Sequence, residues 1–120
     1  MKVKNILLII TLISLATLIS PAVKASCNNI SCSGKISRLV PNGGVTPPIV
    51  SVRVAGVDTS PLNCTLGGGQ DFVLKSTNPL FDQIYSLLLT AFTMQEPLTT
   101  LRIAETSNPC EIIYVKVDKI

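Results

Sequence analysis

Apolar and polar residues alternate most plainly across residues 49–57, where Val50, Val52 and Val54 fall on one face and Ser51, Arg53 and Ala55 on the other. A period of two is the repeat of an extended backbone with one buried and one wet face, so this segment is the clearest strand. Before it, residues 34–40 alternate enough to form a first strand. Pro41-Asn42-Gly43-Gly44, with two residues able to take positive φ, ends that strand, and Thr46-Pro47-Pro48 extends the connection. After Asp58-Thr59-Ser60-Pro61 turns the chain, a third strand begins at residues 63–66, is interrupted by Gly67-Gly68-Gly69, and resumes at residues 72–75. Glycines inside a strand pattern suggest a bulge or sharp bend, which a small sheet needs in order to curl. A phosphate-cradling loop would also be glycine-rich, but no lysine and helix follow at the spacing it requires.

The period then becomes helical over residues 78–95. Asn78 is a good N-cap, Pro79 suits a first helical position, Asp82 falls in the first turn where the helix dipole favours it, and Glu96-Pro97 ends the segment. Phe81, Ile84, Tyr85, Leu88 and Phe92 share a face able to plug one end of a barrel. A second stripe of Leu80, Leu87, Ala91 and Met94 lies beside it. Either both stripes are core, or the second meets other subunits, because one small barrel cannot cover so wide an apolar face. Residues 98–104 and 111–117 then read as the fourth and fifth strands, with a turn at Glu105-Thr106-Ser107-Asn108-Pro109 between them. The order predicts a mostly β fold, a five-stranded OB-fold barrel with one α-helix between strands 3 and 4. That architecture is used for binding.

The first 25 residues stand apart from this pattern. Met1-Lys2-Val3-Lys4-Asn5 is basic and polar, residues 6–20 are an apolar run, and Pro21-Ala22-Val23-Lys24-Ala25 places small residues at the −3 and −1 positions. This is the three-part form of a secretory signal peptide cleaved after Ala25. At about 15 residues the run is shorter than the roughly 20 a spanning helix needs. A lipid anchor at Cys27 would want a leucine-like residue where Lys24 stands. The expectation is a leader over residues 1–25, one domain over residues 26–120, a secreted or periplasmic location and no membrane insertion. Of the ten basic residues, Lys2, Lys4 and Lys24 lie in the leader, leaving seven against seven acidic ones. The apparent net charge of +3 therefore belongs to the leader. No basic patch remains to argue for nucleic acid, and a ligand would be neutral or held by hydrogen bonds.

All four cysteines lie in the exported part, an even number in an oxidising compartment. Among the three pairings, Cys64–Cys110 is preferred because the third and fifth strands of an OB barrel run parallel side by side, which puts both residues at adjacent strand starts; Cys27–Cys32 follows as a short-range bridge. A zinc site is the rival reading, but histidine is lacking and the cysteine spacings are irregular. Without histidine, neither Ser/His/Asp nor Cys/His chemistry can be assembled, and the acidic residues are scattered singly. The expectation is a non-enzymatic protein with no cofactor and no metal. Asn29-Ile30-Ser31 and Asn63-Cys64-Thr65 match the N-glycosylation sequon, a three-residue pattern that also arises by chance.

The stretch Phe81-Asp82-Gln83-Ile84-Tyr85-Ser86-Leu87-Leu88-Leu89-Thr90-Ala91, followed by Glu96-Pro97 and Leu101-Arg102-Ile103, resembles the helix and following strand of the B subunit of subtilase cytotoxin and its relatives. Ser33-Gly34-Lys35-Ile36 is similar to the Ser-Gly start of that family's first strand. The resemblance implies an OB-fold subunit of a ring-shaped homopentamer that binds host cell-surface glycans on its outer face and can carry a catalytic A subunit. It also implies that Ser33 hydrogen-bonds sialic acid. A partner from the fourth strand falls near Arg102, whose guanidinium suits a sialate carboxylate, although Thr99-Thr100 leave the register open and an exposed strand arginine is the plainer reading. The family's aromatic and acidic pocket residues have no clear counterparts here. The functional expectation is a toxin-B-subunit-like glycan-binding protein. The alternative is a stand-alone periplasmic or surface protein with the same barrel and a protein-binding or structural role.

Overall fold

The computed structural model describes residues 23–119. The leader's basic start and apolar run, within residues 1–22, lie outside the described residues, while Val23, Lys24 and Ala25 are inside them. Seven strands and one helix follow: β1 (Ser26–Cys27), β2 (Ser31–Gly34), β3 (Ile36–Asn42), β4 (Ile49–Val54), β5 (Phe72–Lys75), α1 (Phe81–Met94), β6 (Leu98–Ile103) and β7 (Ile112–Lys116). They build two antiparallel sheets in the orders β1-β2-β6-β7 and β3-β4-β5. The fold is thus mostly β with a single described helix, and its ladders make two sheets instead of the closed barrel expected from the element order.

The strand expected over residues 34–40 forms as β3, and an additional strand, β2, precedes it in the other sheet. Gly34 takes φ +139°, and the pairing of β2 with β6 shifts between Cys32 and Gly34. After it the chain leaves one sheet, passes Lys35 and enters the other as β3. A Cβ at position 34 would stand 3.0 Å from Val54 Cγ1 and 3.3 Å from Ala25 Cβ, so close backbone approach requires glycine there as well.

β4 shows the expected alternation, with Val50, Val52 and Val54 buried and Ile49, Ser51 and Arg53 half-buried. It stops at Val54, short of residue 57, because Ala55 and Gly56 turn there and the Ala55 amide donates to Lys35 O. The third expected strand survives only as β5. Residues 63–66 bond instead to the segment before β7: Thr106 N donates to Asn63 O at 2.7 Å, Thr65 N to Ser107 O at 3.0 Å and Cys110 N to Thr65 O at 2.7 Å. The glycines end the strand by folding back, with Gly68 and Gly69 at φ +58° and +80° and Gly67 bridged to Asp71. The two sheets touch again where Val73 makes a parallel bridge with Glu111.

Helix α1 is shorter than its sequence pattern. Its N-cap residue is Leu80, not Asn78; Asn78 acts before the helix, accepting the Leu80 amide on Oδ1 at 2.8 Å and donating from Nδ2 to Ile113 O at 3.3 Å. Pro79 consequently lies in this turn and not at the first helical position. The C-terminus closes through left-handed Gln95 (φ 56°), with Glu96 N donating to Ala91 O at 2.9 Å. The helix buries Ile84, Leu88 and Ala91, spaced i, i+4, i+7, against Phe72, Leu74, Leu98, Leu101, Ile103 and Ile112. Phe81, Tyr85 and Phe92 pack at the edge of this core. Ala91 is therefore corrected from interface to core: only 2% of it is exposed, because it shares the face of Ile84 and Leu88. The other three members of that stripe are exposed, Leu80 at 53%, Leu87 at 36% and Met94 at 64%, and Leu89 joins them at 44%. No helix among the described residues is long and apolar enough to cross a membrane.

Candidate functional site

The first strand pair is built on a cystine. Cys27 and Cys32 face each other across β1 and β2, and their disulfide spans a Cα separation of 4.0 Å. Between them Asn28 closes the turn, its Oδ1 accepting the amides of Ile30 at 2.9 Å and Ser31 at 2.8 Å and the Ser31 hydroxyl at 3.1 Å. The second disulfide joins Cys64 to Cys110 at a Cα separation of 5.1 Å, within bridging reach. No described cysteine is free.

Strand alternation decides what the outer face of this sheet carries. Cys32 lies opposite Leu101, and both are buried; their neighbours Ser31 and Arg102 pair on the opposite face. Arg102 is also opposite Tyr114, and Thr100 opposite Lys116. Ser33 is two residues along β2 from Ser31, on the same outer face. The sheet thus displays serine, threonine, arginine, tyrosine and lysine, and no carboxylate comes from its strand residues on this face.

A polar pocket of about 260 Å³ opens here, lined by Ser26, Cys27, Asn28, Ser31, Cys32, Ser33, Thr99 and Thr100. It is smaller than the roughly 300–1,000 Å³ typical of sites for drug-sized ligands. Hydroxyls and one amide make up its side-chain chemistry, and both cysteines are tied in the disulfide. These lining side chains can donate and accept hydrogen bonds. Thr99 Oγ1 accepts the Asp118 amide at 3.0 Å, which ties the tail beyond β7 to the pocket rim.

Ser33, the residue singled out from the sequence, is in this pocket and half-buried. Its Oγ donates to Lys24 O at 2.7 Å and lies 3.3 Å from Ser26 Oγ and 3.4 Å from Ser26 O. Arg102 is on the same sheet face but is not among the lining residues. Its Nε is buried without a hydrogen-bond partner. Thr99 and Thr100, which left the register open in the sequence, prove to be lining residues; Ser26 and Asn28 had no sequence signal, and Ser31 stood out only as the end of a sequon. Only the pairing of β1 with β2 and of β2 with β6 brings them together, and register is a long-range property. Comparison with protein-family models, curated proteins and solved structures finds no match to this chain.

Proposed function

We propose that this is an exported, non-enzymatic subunit that recognises cell-surface glycans and works as an oligomeric ring, in the manner of the toxin B subunits it resembles. The observation that carries this reading is the pocket around Ser33, a hydroxyl-rich hollow on the outer face of a sheet. The OB-type barrel belongs to the same proposal. In support of it, β2 and β3 act together as one bent first strand that pairs with β6 in one sheet and β4 in the other, and β5 meets the start of β7 in parallel. Host glycans and a catalytic A subunit are the partners this reading implies.

A glycan array with the exported protein tests it, with Ser33→Ala as control. Binding that Ser33→Ala abolishes is the expected result; a blank array, together with a monomeric mass by light scattering, removes the proposal. A second reading, a stand-alone protein that binds a protein partner or has a structural role, draws on the exposed Leu80, Leu87, Leu89 and Met94. Leu80, Leu87 and Met94 share one side of α1, a stripe of a kind that marks contact surfaces, whereas Leu89 lies beyond the polar strip of Asp82, Ser86 and Thr90.

A further inference from the structure

Three asparagines fold their side chains back into the same local ring: the Oδ1 atoms of Asn28, Asn42 and Asn78 accept the backbone amide two residues on, from Ile30 at 2.9 Å, Gly44 at 2.8 Å and Leu80 at 2.8 Å. This is the Asx turn. The ring it closes contains both the side-chain amide carbon Cγ and the next residue's backbone nitrogen, the two atoms whose union makes a cyclic imide. What differs among the three turns is the residue that supplies the nitrogen, which is Asn29, Gly43 or Pro79. Pro79 has no amide proton to lose and Asn29 carries a side chain on its Cα, whereas Gly43 has neither obstacle. We propose that Asn42 is a site of spontaneous covalent modification, where water converts its side-chain amide to aspartate and isoaspartate through the imide formed with Gly43. The proposal stands independently of the glycan reading.

The surroundings of Asn42 favour the reaction. Residues 41–46 are all exposed, so water and hydroxide reach the turn. Among the described residues no hydrogen bond uses the Gly43 amide, and a Cβ built at that position meets nothing within 4 Å, so the nitrogen has room to close on Cγ. The Gly44 amide, by contrast, is fixed on Oδ1, and a Cβ at Gly44 would stand 3.2 Å from that oxygen, a close approach that glycine permits. A donor placed there polarises the carbonyl and stabilises the negative charge that gathers on Oδ1 as the nitrogen attacks. The turn at Asn28 is held more tightly: its Oδ1 also takes the Ser31 amide and hydroxyl, and the Cys27–Cys32 bridge closes the loop around it.

Hydroxide removes the Gly43 amide proton, the nitrogen bonds to Asn42 Cγ, and the Cγ–Nδ2 bond breaks with Nδ2 leaving as ammonia. Water then opens the imide. Attack at Cγ gives aspartate; attack at the main-chain carbonyl carbon gives isoaspartate, whose backbone runs through the side chain and carries an extra carbon. Water is consumed and ammonia released, with no change of oxidation state. The change adds an acidic residue to the seven present, against seven basic ones once Lys2, Lys4 and Lys24 leave with the leader. Asn42 faces Ile49 on the last rung of the β3–β4 ladder, so the longer backbone disturbs that rung while the pairing from Pro41 and Val50 inward remains.

The test uses the protein exported from its full chain, held in warm, mildly alkaline buffer and sampled over weeks. Peptide masses locate the change, and protein isoaspartyl methyltransferase with a labelled methyl donor measures isoaspartate. A gain of about 1 Da confined to the peptide that contains Asn42, with isoaspartate exceeding aspartate, is the expected result, while Asn28 and Asn78 stay intact over the same period. Gly43→Ala should slow the gain at least about fivefold, because a side chain there hinders ring closure. Asn42→Gln keeps an amide on a longer stem and should abolish the gain, which preserves the test if Gly43→Ala does not fold. Equal rates at Asn42 and Asn28, an unchanged rate in Gly43→Ala, or a gain at the same peptide in Asn42→Gln each overturns the proposal. So does an Asn42 that survives in the folded protein and reacts only once the chain is reduced and unfolded in urea.

Discussion

The backbone amide of Val73 donates to the carbonyl oxygen of Cys110 at 2.8 Å. Cys110 is fully buried, and its disulfide to Cys64 closes a loop with a sequence separation of 46. The same residue therefore locks the loop covalently and pins the approach to β7 against β5, where the two sheets meet.

Loop length ranks the two disulfides. Chain-entropy arguments assign about 4 kcal/mol to a bridge spanning some 46 residues and about 2 kcal/mol to one spanning five. Replacing Cys64 and Cys110 by alanine should thus lower stability about twice as much as replacing Cys27 and Cys32. Against a typical margin of about 5–15 kcal/mol for a domain, the first loss is a large share of the total. Urea midpoints of the two double variants measure the difference, and equal losses would show that Cys110 is not the fold's principal tie.

Gly34→Ala should cost more than Gly68→Ala. At position 34 the new Cβ meets Val54 Cγ1 at 3.0 Å in addition to the backbone strain of φ +139°, whereas at Gly68 nothing lies within 4 Å and only the strain of φ +58° remains. Overpacking contributes about 1–3 kcal/mol beyond the roughly 1–2 kcal/mol of a left-handed alanine. Thermal melts of the two variants should separate by several degrees. If they coincide, close approach at Gly34 is not what separates β2 from β3.

The exposed side of α1 gives a test with its own control. Leu87→Glu with Met94→Glu should leave the fold within about 0.5 kcal/mol of the parent, since both side chains face solvent in the single chain. Ala91→Glu should unfold it, because that residue is buried against the core. In the ring reading the double variant also lowers the mass seen by light scattering to that of one chain. A parent that is already a monomer ends that reading.

Local periodicity made most of the elements legible. The alternation of Val50, Val52 and Val54 and the helical spacing of Ile84, Leu88 and Phe92 are short-range patterns that tertiary packing reinforces. Where the structure departs, long-range pairing is the cause. Residues 63–66 look like strand but bond across to residues 106–110, and Asn78 looks like a cap but ties the pre-helical turn to Ile113. Ala91 was legible in principle, since it repeats Ile84 at i+7, but its small side chain fits either stripe. The pocket was the least visible part. Ser33 stood out only by resemblance, and its neighbours Thr99, Thr100 and Ser26 come from strands whose register no local pattern reveals.

Arg102 offers a prediction in which stability and binding separate. Its Nε is buried with no partner, in the middle of an outer face flanked by Ser31 and Tyr114. An unsatisfied buried donor costs about 1–3 kcal/mol, so an arginine kept only for the fold would be a poor choice there. Arg102→Met keeps much of the length and apolar packing of the stem and removes the orphan donor. It should leave the denaturation midpoint unchanged or raise it by about 1 kcal/mol. If the guanidinium waits for a sugar carboxylate, the same variant loses binding to acidic glycans on an array while staying folded. Unchanged stability with unchanged binding makes Arg102 a strand residue with no part in recognition, whereas a large loss of stability shows that its side chain carries the packing between β6 and its neighbours.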